Sequence, residues 1–134
     1  MLAISRYLYP TVIPTVSAFL AVSPVLAAPF AIDGDTIVID HEHIRIANID
    51  APEIGHPKCD AELRLGKVAQ RRMAELLGSG EIAVHPGDPK DGRLKDRYGR
   101  TLATVSVDGQ DVGEILIAEG LARPWTGRRQ PWCR

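Results

Sequence analysis

The sequence is poor in the residues that would make the simplest assignments. It has two cysteines in 134 residues, Cys59 and Cys133, with no paired histidines beside them. That excludes a structural zinc site of the four-ligand kind. Basic charge is not in surplus: sixteen Lys and Arg stand against seventeen Asp and Glu. Gripping nucleic acid by bulk charge is therefore excluded, and any such contact has to be local. There is also no unbroken apolar run fit to span a bilayer, because Pro10, Pro14 and Pro24 interrupt the stretch from Tyr7 to Leu26. The four histidines (His41, His43, His56 and His85) show neither a nucleophile-base pattern nor ligand spacing, and they read as solvent-facing, with His56 the one candidate to border the charged motifs. The chain has no internal repeat and no low-complexity segment.

The first 28 residues carry one charge, Arg6, and no acid; they run apolar to Leu26 and end in Ala27-Ala28. A cationic start, an apolar middle and a small-residue end predict a signal peptide over residues 1–28, a single domain over 29–134, and a secreted or periplasmic destination. In an exported protein Cys59 and Cys133 are a candidate disulfide that would pin the C-terminal tail, stabilising by roughly 4 kcal/mol on the chain-entropy model. That tail holds Arg123, Arg128, Arg129 and Arg134 with no acid among them, either a solvated basic end or a local nucleic-acid contact.

Short β-branched runs predict strands at Phe30 to Ile39, interrupted by Asp33-Gly34, and at Ile44 to Ile49, joined by a tight turn at His41-Glu42-His43. That register sets Arg45 opposite Ile39, on the face of Ile37 and Asp35. Asp60 is the expected cap of a helix from about Ala61 to Leu77, with Leu65, Val68, Ala69, Met73 and Leu76 as its apolar stripe and Gly78 as its stop. Further strands are expected at Glu81 to His85 and Thr101 to Val107, the latter followed by the turn pair Asp108-Gly109. Asp111 and Glu114 form a capping-box pattern for a short helix ending at Gly120. The fold class expected is α+β, mainly β: a small barrel with attached helices.

Five charged residues stand out. Asp35, Asp50 and Glu53 are hard oxygen donors; Arg45 and Arg100 offer planar forks to phosphate oxygens. Carboxylates alone suggest a cation site and arginines alone an anion site. Together they suggest a metal-assisted attack on a phosphate. Asp35 and Asp50 are candidate calcium ligands, and Glu53, on a loop stiffened by Pro52, is placed to hold or deprotonate a water. Arg97, Tyr98 and Trp125 are candidate substrate contacts, although Asp96 and Arg97 also read as a simple surface pair. Trp132 reads as packing.

The ordered set Ala31-Ile32-Asp33-Gly34-Asp35-Thr36, Arg45, Asp50-Ala51-Pro52-Glu53, Tyr98-Gly99-Arg100 and Gly120-Leu121-Ala122 resembles the staphylococcal nuclease family over roughly Phe30 to Trp125. The resemblance implies a five-stranded OB-fold barrel with two or three helices. It implies calcium-dependent, sugar-nonspecific cleavage of DNA and RNA, single strands preferred, leaving 3′-phosphate ends. Asp35, Asp50 and the Ala51 backbone carbonyl would hold calcium, Glu53 would be the general base, and Arg45 and Arg100 would stabilise the transition state. A monomer without lasting membrane association is expected. Ala51 replaces a family threonine, the first hairpin is shortened, and the family's C-terminal helix and base-stacking tyrosines have no counterpart after Trp125. The competing expectation is an OB-fold that binds nucleic acid with weak or no turnover.

Overall fold

The computed structural model describes residues 10–14, 17–18, 21, 23 and 26–134. The leader expected over residues 1–28 lies largely outside these. No helix among the described residues is long and apolar enough to cross a membrane.

Among the described residues, eight short strands and two helices follow in order: β1 (Phe30–Ala31), β2 (Thr36–Ile39), β3 (Glu42–Ile46), β4 (Ile49–Asp50), α1 (Asp60–Leu77), β5 (Ile82–Pro86), β6 (Thr101–Val107), β7 (Gln110–Asp111), α2 (Val112–Ala118) and β8 (Arg123–Pro124). The main sheet runs β1-β2-β3-β6-β5, with β7 added to β6, and β3 and β6 are parallel. The α+β class and the two helices agree with expectation. The closed barrel does not: no pairing joins β1 to β5 among the described residues, and β4 leaves the main sheet to pair antiparallel with β8. The break comes at Ala47-Asn48, where the Ala47 N–H still bonds Ala103 on β6 at 2.9 Å before the chain turns away.

The first hairpin corrects the expected register. Its turn is Asp40-His41, with φ of 48° and 66°, the two-residue geometry that matches strand twist and needs positive φ at both central positions. Thr36 therefore faces Arg45, and Ile37 faces Ile44. Ile37, Ile44 and Ile46 go into the core, while Arg45 goes to the opposite face. Burying those three side chains against Met73, Val105 and Leu116 gives the sheet and both helices a common interior.

In α1 the N-cap is Cys59, one residue earlier than expected. Asp60 sits in the first turn instead, where its charge suits the helix dipole. Val68 is 40% exposed, so it is not part of the buried stripe; Ala69, Met73, Leu76 and Leu77 are. Gly66 takes the remaining contact position. A Cβ there would stand 2.9 Å from the Pro52 carbonyl oxygen, so the missing side chain lets the helix lie against the loop that carries Glu53. The second helix matches its signal: the Asp111 side chain accepts from the Glu114 N–H at 2.9 Å. Cys59 and Cys133 are joined as a disulfide.

Candidate active site

Asp35 sits at the entrance to β2, on a loop tightened from both sides. The Asp33 carboxylate accepts the Asp35 N–H at 3.1 Å, and a Cβ on Gly34 would press on the Ala51 and Ala69 side chains at 2.8 and 2.9 Å. Only glycine allows that close approach. Asp35 is 1% exposed; its Oδ2 accepts the Ala51 N–H at 2.8 Å and faces Arg45 Nη2 at 3.4 Å. The loop after β4 is thereby tied to the start of β2, which joins the two sequence motifs physically.

Arg45 is 7% exposed. Its Nη1 donates to the Ile49 carbonyl at 2.9 Å and to that of Ile46, and its guanidinium lies 5.5 Å from the Trp125 ring centre. Arg100 is held differently. Its Nε donates to Asp96 Oδ2 at 2.6 Å and its Nη1 to Thr36 Oγ1 at 3.3 Å. Asp96 is thus the partner of Arg100, not of Arg97. Burial opposes its charge, yet the Arg100 side chain and the amides of Arg100 and Tyr98 hold the carboxyl below the usual range.

Asp50 is 2% exposed, and neither of its oxygens has a hydrogen bond. Burial pushes its carboxyl above the ordinary value; Arg129 pulls back, the Asp35 charge adds to the rise, and Arg45 pulls back again. The Trp132 indole N–H is near enough to favour the charged form without closing a well-formed bond. Glu53 is part-exposed and forms an ion pair with Arg129 Nη2, whose other nitrogen stands 3.3 Å from Asp50 Oδ1.

Arg45, Glu53, Tyr98, Arg100, Trp125 and Arg129 line one cavity of about 860 Å³, to which Arg97 also contributes. Asp35 and Asp50 are buried behind its wall, one contact away through Arg45 and Arg129, and Ala51 is buried with them, its N–H bonded to Asp35. All four histidines are exposed, and none lines the cavity. Among the described residues no three His, Cys, Asp or Glu side chains form a metal cluster. The donors that remain nevertheless suit a hard cation: two buried carboxylates, one of them with both oxygens free of hydrogen bonds.

Three participants escape sequence reading. Asp33, expected as half of a turn pair, is a further carboxyl of the cluster. Burial, the Asp35 charge and side-chain hydrogen bonding to the Asp35 carboxyl raise it to about 7, against the pull of the Asp35 N–H. Glu62, 5% exposed, accepts the Lys58 N–H at 2.8 Å and faces the Glu53 N–H at 3.5 Å, bracing the loop from the first turn of α1. Its position three residues after the cap is the available signal. Arg129, seen in the sequence only as part of a basic tail, is inside the site.

A family profile described as "Staphylococcal nuclease homologue" matches residues 43–131. The chain belongs to the staphylococcal nuclease family. It is 39% identical over 97 residues to the SPbeta prophage-derived endonuclease YokF of Bacillus subtilis and to endonuclease YncB of the same organism. These alignments cover 69% of this chain but 31% and 44% of the relatives. It is 35% identical over 96 residues to the thermonuclease of Staphylococcus hyicus, covering 69% of this chain and 54% of that protein. The chain thus spans about a third to a half of the length of these relatives.

Proposed function

We propose that this chain is a calcium-dependent endonuclease that hydrolyses phosphodiester bonds of DNA and RNA without regard to the sugar. The observation that carries the reading is the convergence of Arg45, Arg100 and Glu53 on one cavity directly in front of buried Asp35 and Asp50. The family, and relatives named endonuclease and thermonuclease, support it.

Asp35, Asp50 and the Ala51 carbonyl would hold the cation, which when bound supplies positive charge at the phosphate and makes a nearby water more acidic. Glu53 takes the proton of the attacking water. The water oxygen bonds to phosphorus as the bond to the 5′ oxygen breaks, and that oxygen leaves as a hydroxyl after taking a proton from solvent. A 3′-phosphate end remains. Arg45 and Arg100 face the phosphate from separate anchors, the Ile46 and Ile49 carbonyls and Asp96 respectively. Charge building on the phosphate oxygens therefore meets donors already oriented, with little reorganisation left to do. Tyr98, 70% exposed, and Trp125 offer flat faces at the rim on which single-stranded bases can stack.

Residues 1–28 are read as an export signal, and the Cys59–Cys133 disulfide suits the secreted or periplasmic compartment that reading requires. The deciding experiment is cleavage of single-stranded DNA by the purified protein with calcium and then with chelator, beside Glu53→Gln. The expected result is calcium-dependent cutting that falls by about 10²-fold or more in the variant. Cutting indifferent to both chelator and variant would remove this mechanism. A folded protein that binds the strand without cutting it would establish the binding module instead.

A further inference from the structure

Two anchors hold the last ten residues as a strap across the site. At one end the Trp125 N–H bonds the Asn48 carbonyl at 2.9 Å, continuing the β4–β8 pairing; at the other, Cys133 is bonded to Cys59 at the cap of α1. From β8, ahead of the strap, Arg123 braces it, donating to the Pro131 carbonyl at 2.9 Å and lying 3.7 Å from the Trp132 ring centre. Arg129 projects from the middle of this strap onto Asp50 and Glu53 together. Asp50 is otherwise without a hydrogen bond and is 2% exposed. A buried carboxylate of this kind needs a counter-charge, and here a guanidinium of the same chain provides it. A divalent cation on Asp50 and a guanidinium on the same oxygen repel each other, and the Glu53 carboxylate paired with Arg129 is occupied by the guanidinium instead of facing a water.

We propose that Arg129 is a built-in competitor for the divalent cation, held on the carboxylates by the disulfide-closed strap. The inference rests on the calcium-dependent reading above. Cation binding expels the guanidinium toward the cavity and releases Glu53 in the same movement. The Arg129 side chain, 44% exposed, has open space on its cavity side to move into.

The test is calorimetric titration of calcium into the full chain and into Arg129→Ala, Arg129→Lys and Arg134→Ala. Thermal unfolding of each variant verifies that it is folded. Arg129→Ala should bind calcium about tenfold more tightly, equivalent to about 1.4 kcal/mol. Arg129→Lys keeps the charge but loses the fork and should fall between the two. Arg134→Ala removes the same charge from the same tail away from the carboxylates and should bind as the parent does. Equal or weaker binding by Arg129→Ala overturns the proposal, and so does an equal gain in Arg134→Ala, which would reduce the effect to net charge. Cleavage that persists alongside unchanged affinity leaves the nuclease reading standing and removes Arg129 alone. No calcium binding by any of the four proteins overturns both.

Discussion

Asp33 makes the stability of this protein depend on pH in an unusual direction. Its carboxyl is raised from 3.8 to about 7, first by burial, then by the charge of Asp35 and by side-chain hydrogen bonding to the Asp35 carboxyl, while the Asp35 N–H pulls back. In the unfolded chain the same group loses its proton near pH 4. Between about pH 4 and pH 7 the folded state therefore keeps a proton that the unfolded state has released. Stability must fall as pH rises through that window and level off above it. A rise of about three units at about 1.4 kcal/mol each sets an upper bound of about 4 kcal/mol, and roughly half of that survives solvent screening around a part-exposed side chain. Replacing Asp33 with Asn keeps the shape and an oxygen for the Asp35 N–H but removes the titration. Urea unfolding of both proteins in chelator, from pH 5 to pH 8, reads the difference. The parent should lose on the order of 2 kcal/mol across the range. Asp33→Asn should lose much less and be the more stable protein at pH 8. Asp50, also raised by burial, leaves a smaller slope of the same sign in the variant. Parallel pH profiles for the two proteins would refute the reasoning, because the carboxylate cluster would then owe nothing to Asp33.

Two other substitutions probe the site and its frame. Arg100→Lys should lower kcat/KM by about 10²-fold, because an ammonium cannot hold Asp96 and Thr36 and still present a fork to phosphate; steady-state cleavage at the parent rate would take Arg100 away from the phosphate. Cys133→Ser opens a loop with a sequence separation of 74 and should cost about 4 kcal/mol, seen by calorimetry as a melting temperature lower by more than about 10 °C. A melting temperature within a few degrees of the parent would mean that the strap is held by β8 and Trp132 alone.

What the sequence disclosed was local, and what it concealed was not. The α2 cap, the Asp108-Gly109 turn and the end of α1 at Gly78 depend on neighbours within four residues, and each appears where its signal lies; the start of α1 is one residue off because Cys59 takes the cap. The hairpin register depends on which pair takes positive φ. Asp40-His41 has no glycine to announce it, so the turn sits earlier than the composition suggests, Arg45 pairs with Thr36 instead of Ile39, and its side chain changes face. The charged constellation could be read because Asp35, Arg45, Asp50 and Glu53 lie within 19 residues, from the entrance of β2 to the loop after β4, and Asp35 ties that loop and Arg45 together directly. Arg129 had no such advantage. Its place follows from a two-residue strand paired with β4 and from a cysteine bonded across most of the domain, and neither leaves a periodic trace. A basic tail is ordinarily a solvated end. Closed into a strap over a buried carboxylate that lacks a hydrogen bond, one of those charges, Arg129, becomes part of the electrostatic balance of the site, and Asp50 takes its counter-charge from a residue 79 positions away in the chain.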